Sequence, residues 1–156
     1  MNAKERRRAA REHLQTIPYV EVAMVDGYQI EQVWPHVEGF FQNALEQVPS
    51  GADETTNHIL EDLLDGSLTL WVAFRERTVL AAMTSYISTT RGGCRATIKH
   101  LGGTEMSGWF KHWPLVEQWA KGRGASRIYI KGRPAWAKVM ESEGFTRDYV
   151  SLSKAI

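Results

Sequence analysis

Between Leu101 and Gly108 the chain reads LGGTEMSG, a turn with three glycines, one carboxylate and one hydroxyl. Gly102, Gly103 and Gly108 can let backbone come close to a ligand, or can let a strand end in a bulge. Ser107 precedes an aromatic, helix-forming stretch and is placed to cap it by accepting from the N–H of Trp109 or Phe110. The first N–H groups of such a helix lack partners and favour an anion such as a cofactor pyrophosphate. Gly102, Gly103, Ser107 and Gly108 are therefore the candidate cofactor-binding residues. Glu105 is the only carboxylate near the turn and the candidate general base for an amine. The commoner state of a loop glutamate is simply solvated. His100, just ahead of the turn, has two readings, a base or a hydrogen-bonded core histidine.

The remaining polar residues offer less chemistry. His13, His36, His58 and His112 show no ligand-like pair spacing, so no metal site is expected. Cys94 is the single cysteine, which rules out an intramolecular disulfide and a thiolate cluster. Arg133 and Trp136 lie three apart in a helical stretch and can share a face. A guanidinium on an indole is a common structural stack, and it can also serve an anionic group or another subunit.

The elements that must position these residues come from patterning. A chain of 156 residues with 43% hydrophobic and 24% charged residues is expected to be one globular domain. A net charge of +1 gives no overall field for nucleic acid or anionic membrane, and no apolar run is long enough to span a bilayer. With no signal-peptide pattern, the expected compartment is the cytoplasm. One local anomaly is the start, MNAKERRRAAREHLQ, whose Lys4, Arg6, Arg7, Arg8 and Arg11 outnumber Glu5 and Glu12. It reads as a basic helical arm over residues 1–17, ahead of a folded domain over 18–156. The arm is either a solvated terminus or a contact element for a protein partner or a second copy, with nucleic acid the weaker option.

After Pro18, PYVEVAMV alternates as a strand, and Asp26-Gly27 marks a turn. Val33, Trp34, Val37, Phe41, Ala44, Leu45 and Val48 mark a buried helix face, with Pro35 predicting a kinked or separate first turn. A second helix follows Thr55-Thr56 and stops near Gly66. LTLWVAF and VLAAMTSYIS flank a short charged turn and read as an antiparallel hairpin. CRATIKHL is the next strand, with Ala96, Ile98 and His100 expected on one face and Thr97, Lys99 and Leu101 on the other. An aromatic helix around residues 109–121 follows, with Pro114 expected to kink it. SRIYIKG is a strand, a helix closes at Gly144-Phe145, and the alternating FTRDYVSLSKAI is expected to pair beside SRIYIKG as a last strand. Trp34, Leu63, Trp71, Ile98, Trp119, Ile128 and Ile130 are the expected core.

The resulting order, β-α-α-β-β-β-α-β-α-β, resembles that of the GNAT superfamily of acyl-CoA N-acyltransferases over nearly everything after Pro18. The resemblance implies an α/β fold, a mixed sheet of about six strands with helices on both faces. It implies a gap where the strands 95–101 and 126–131 splay apart, entered by the pantetheine of acetyl-CoA, with the pyrophosphate at the intervening helix. Gly144-Phe145 matches the Gly-Phe that closes the family's late motif. Two positions depart from it. The pyrophosphate loop lacks its leading cation and its glycine spacing, and Met140 stands where a tyrosine often protonates the leaving thiolate. Gly102-Gly103, Trp109, Glu117, Trp119-Ala120, Gly132-Arg133 and Trp136 together resemble small GNAT-like proteins of bacteriophages. That resemblance implies a non-catalytic virion or assembly role. The alternative is an acetyl-CoA-dependent N-acyltransferase acting on an amine.

Overall fold

In the computed structural model, residues 2–16, 19–105, 108, 110–132 and 134–156 are described, with backbone alone for 10–16, 134 and 135. Five strands form one sheet in the order β1-β2-β3-β4-β5. They are β1 (Glu21–Met24), β2 (Thr69–Arg75), β3 (Thr78–Thr90), β4 (Gly93–Gly103) and β5 (Arg127–Ile130). The first four pair antiparallel in succession, and β5 joins β4 in parallel. Helices α2 (Ile30–Glu46) and α3 (Thr56–Leu64) connect β1 to β2, α4 (Trp113–Gly122) crosses from β4 to β5, and α5 (Pro134–Glu141) follows. A basic helix α1 (Ala3–Thr16) precedes the sheet.

Local chemistry explains most boundaries. Helix α1 opens where Asn2 and Glu5 cap each other reciprocally, each side chain accepting from the other's backbone N–H at 2.9 Å. Thr55 caps α3 in the same way, with the His58 ring in the usual place of a glutamate. A separate 3₁₀ turn, Gly27–Gln29, precedes α2, and α2 then runs through Pro35. Helix α5 ends in a left-handed glycine, Gly144 (φ 90°). There the Phe145 N–H bonds the Met140 carbonyl and the Gly144 N–H bonds that of Glu141.

Each face of the sheet has its own core. Ile30, Trp34, Val37 and Phe41 of α2 and Ile59 and Leu63 of α3 cover Leu70, Val72 and Ala82. On the opposite face Trp113 and Val116 of α4 and Met140 of α5 pack on Trp71, Met83 and Ile98. Of the expected core, Trp34, Leu63, Trp71 and Ile98 are buried, while Trp119, Ile128 and Ile130 are partly covered at the margin.

Three expectations are corrected. The tail 146–156 has no strand, and the sheet ends at β5. Its Val150, Leu152 and Ile156 are exposed, so their alternation finds no surface to bury against. Pro114 kinks nothing, because α4 starts at Trp113 after a break at Lys111-His112, which puts the proline in the first turn. A proline there costs no helical hydrogen bond. His100, lastly, does not share a face with Ile98. Ser85 pairs with Ile98 and Thr84 with His100, so Lys99 is an extra residue that shifts the alternation.

Candidate functional site

The Lys99 bulge assembles a polar cluster. His100, 6% exposed, is turned onto the α2/α3 side, edge-on to Phe41 at 6.0 Å. Its Nδ1 lies 2.7 Å from Thr84 Oγ1, and its Nε2 lies 2.5 Å from Oε1 of Glu54, in the loop before α3. Thr84 Oγ1 also accepts the backbone N–H of His100 at 3.1 Å, which leaves its hydroxyl proton for Nδ1. The tautomer this network favours is a neutral ring with Nε2–H donating to Glu54. Burial pushes the His100 pKa down, partly opposed by the Glu54 carboxylate. For Glu54, desolvation raises the pKa. The His100 bond and the Lys99 ammonium, 3.5 Å from Oε2, outweigh it and hold the carboxyl below its usual range. The two directions agree on one state, a carboxylate beside a neutral imidazole. Sequence reasoning named His100 but missed Glu54, because partners 46 residues apart leave no local signal.

The glycine turn is built differently. A Cβ on Gly102 would sit 2.5 Å from the Phe40 carbonyl oxygen of α2, and one on Gly103 (φ 130°) 2.4 Å from the Ala81 Cα of β3. Both glycines are thus required by close packing of the strand end. On Gly108 a Cβ would meet Val20 at 2.9 Å. Glu105, itself left-handed (φ 53°), is clamped by Arg75, whose Nη1 and Nη2 donate to its two carboxylate oxygens at 3.0 and 2.9 Å. That bond to Glu105 raises the pKa of Arg75 above its ordinary value. A carboxylate holding two guanidinium bonds has less to offer an amine proton. Ser107, Trp109 and Arg133 lie outside the described residues. The structure therefore brings Gly102, Gly103, Glu105 and Gly108 into one turn, with His100 on the same strand but bonded elsewhere.

Between β4 and β5 the ladder runs from Arg95↔Arg127 to Ile98↔Ile130, and the Lys131 N–H makes one further bond to the Ile98 carbonyl. Strand β4 continues through Lys99–Gly103 paired with β3 but no longer with β5, so β4 and β5 part there. The walls of this divergence meet again through rings. Phe110, after β4, lies edge-on to Trp136 of α5, with centroids 6.1 Å apart and planes at 73°. Trp136 in turn rests against Gly132, just past β5. Met140, 3% exposed, sits in the core beneath. A thioether has no proton to give a leaving thiolate. At this position the chain lacks the proton donor that the sequence resemblance implies. Among the described residues no cluster of His, Cys, Asp or Glu could hold a metal ion, and no helix is long and apolar enough to cross a membrane.

No protein-family model matches the chain, and no curated protein matches it. Solved structures do. An aminoglycoside acetyltransferase from an uncultured soil metagenomic sample, in complex with sisomicin, superposes with a TM-score of 0.66 at 12% identity, covering 88% of this chain and 97% of that one. A ribosomal-protein-alanine N-acetyltransferase from Brucella melitensis biovar Abortus 2308 gives 0.65 at 14% identity, covering 88% and 99%. A predicted acetyltransferase with acetyl-CoA from Clostridium acetobutylicum gives 0.60 at 16% identity, covering 86% and 96%. At these identities the likeness speaks for architecture. With its parting β4 and β5 strands and a crossover helix between them, the chain has the fold of the GNAT N-acetyltransferases.

Proposed function

We propose that this chain is a GNAT-fold binding module that makes contacts rather than transferring acyl groups. A virion or assembly component of bacteriophage type is the setting its sequence resemblance suggests. The observation that carries the reading is the Phe110–Trp136 contact, which joins α5 to the segment that follows β4 near where β4 and β5 part. The buried thioether of Met140 supports it. The basic helix α1, whose described residues 2–9 are all exposed, is the contact element for a protein partner or a second copy. Calorimetric titration with acetyl-CoA, followed by a turnover assay on an amine panel, tests the reading. Absence of micromolar binding is expected. Micromolar binding with saturable turnover overturns it.

One observation favours the alternative, an acetyl-CoA-dependent N-acyltransferase. The Glu54–His100 pair is a proton-handling group on the strand where the divergence begins. Its weakness as a base is equally visible. Both imidazole nitrogens are bonded, and a carboxylate held below its usual range takes a proton poorly near neutral pH.

A further inference from the structure

The α2/α3 side of the sheet is covered by helices only over β2, β3 and the bulge. Beyond, where Thr97 pairs with Tyr129 and lies across from Tyr86, a cleft of about 480 Å³ opens and runs around β5 to Ile128, Ile130, Trp136 and Met140. Pro49, after α2, lines it on one side and the tail residues 145–151 on the other. Arg95, Thr97, Tyr129 and Lys131 line it, with Tyr86 alongside on β3. The Arg95 guanidinium lies 4.6 Å from the Tyr129 ring centroid, and the Lys131 ammonium lies 6.0 Å from the Tyr86 ring while donating to its hydroxyl at 3.3 Å. Among the described residues neither cation has a carboxylate partner. Among the described residues Arg95 Nε and, on β3, Oγ of its register partner Ser88 are buried without a hydrogen-bond partner. Buried donors left unpaired cost free energy that a bound acceptor recovers. The acidic groups at the rim do not neutralise this lining, because Glu141 is paired with Arg147 at 3.6 Å, leaving Asp148 alone against Arg95 and Lys131.

We infer that this cleft binds the phosphate group of a small phosphorylated ligand, with Arg95 and Lys131 supplying charge and Tyr129 and Tyr86 holding them in place. Two cations and the Thr97 and Tyr129 hydroxyls line one cleft, a donor set that suits a dianion with three or more acceptor oxygens better than a planar carboxylate. The aromatic stacking restrains both long cationic side chains, so less of their freedom is lost on binding. Tyr86 is drawn into the same network. Burial raises its pKa, but bonds from Thr97 and Lys131 and the charges of Lys131 and Lys99 outweigh that and bring it below the ordinary value. The inference goes beyond the binding-module reading: the cleft reaches Trp136 and Met140, but the groups that would hold the phosphate, Arg95, Thr97, Tyr129 and Lys131, belong to β4, β5 and the residue that follows β5.

Residue-resolved amide shifts of the full chain, titrated with inorganic phosphate at constant ionic strength, test it. Saturable shifts at Arg95, Thr97, Tyr129 and Lys131 are expected, weakened about tenfold or more by Lys131→Gln and by Arg95→Gln. Lys131 is exposed, so its variant keeps the fold, and the thermal midpoint of each variant checks this. Acetate serves as the planar probe and is expected to bind more weakly. Equal saturable binding of acetate overturns the phosphate assignment. Shifts that do not saturate, that centre on the glycine turn, or that survive Lys131→Gln unchanged overturn the site.

Discussion

The two faces of the sheet are held by different means. On the α2/α3 side, aliphatic side chains and Phe41 surround a polar network in which Thr84, His100 and Glu54 find partners in one another. On the α4/α5 side, rings do the packing, with Trp71 edge-on to Trp119 at 5.6 Å, Trp113 to Phe145 at 5.6 Å, and Phe110 to Trp136 at 6.1 Å. Trp71 satisfies its indole N–H on Ser85 at 2.9 Å, while Trp119 Nε1 has no hydrogen-bond acceptor among the described residues. The contrast is instructive because, in the acyltransferase resemblance, the cofactor belongs to the second face. Here that face is filled by aromatic area, and the titratable and cationic groups have collected on the first.

The largest expected effect lies on the first face. Phe41 is fully buried and touches both Trp34 and His100, so Phe41→Ala should cost about 3–5 kcal/mol by urea unfolding. A loss below about 1 kcal/mol would show that the helical face does not carry the core. Next comes the seam between the faces. Gly103→Ala puts a Cβ against Ala81 in a left-handed backbone, and a destabilisation of about 1–3 kcal/mol is expected from the conformation alone. If the turn exists for a ligand rather than for packing, that variant would keep its stability and lose only binding.

The polar network has a pH signature. His100 has a folded-state pKa below its ordinary 6.5, so the unfolded chain takes up a proton more readily. Its stabilising contribution is therefore present above the unfolded value and lost as pH falls below it. Glu54, also lowered, adds a second loss below its ordinary 4.5. Thermal midpoints should fall from pH 7 toward pH 5 in the wild type, and His100→Gln should flatten that slope. A wild-type slope that His100→Gln leaves unaltered would remove the histidine from the account.

Trp136→Ala sharpens the comparison from the other side. Removing the ring that meets Phe110 reopens the divergence, and acetyl-CoA binding by calorimetry should strengthen relative to wild type. No gain would mean that the glycine turn, not the rings, is the obstacle. The smallest effect is expected for deletion of residues 1–16. The described side chains of α1 are exposed and bury little apolar area, so the midpoint should be unchanged while salt-sensitive association with a partner or second copy is lost. Unaltered self-association and partner binding would make the arm a solvated terminus.

Most of the element order could be read from the sequence, because it rests on local rules. Period-two runs marked β1 to β5, the Val37–Phe41 stripe marked α2, Thr55 marked the start of α3, and Gly144-Phe145 marked the end of α5. Those signals lie within a few residues of what they specify. Tertiary structure decided the rest. Strict alternation put His100 beside Ile98, and only the pairing with β3 shows that Lys99 is extra and that His100 faces Glu54. FTRDYVSLSKAI alternates as a strand should, yet a strand forms only where a partner edge receives its backbone, and the last ladder is that of β5. Gly102 and Gly103 looked like a ligand cradle because glycine suits either purpose. Their neighbours, Phe40 and Ala81, come from distant parts of the chain and set that purpose as close packing. Local periodicity determines which residues can form an element. Which face meets which, and what fills a gap, depends on contacts that no window of sequence contains.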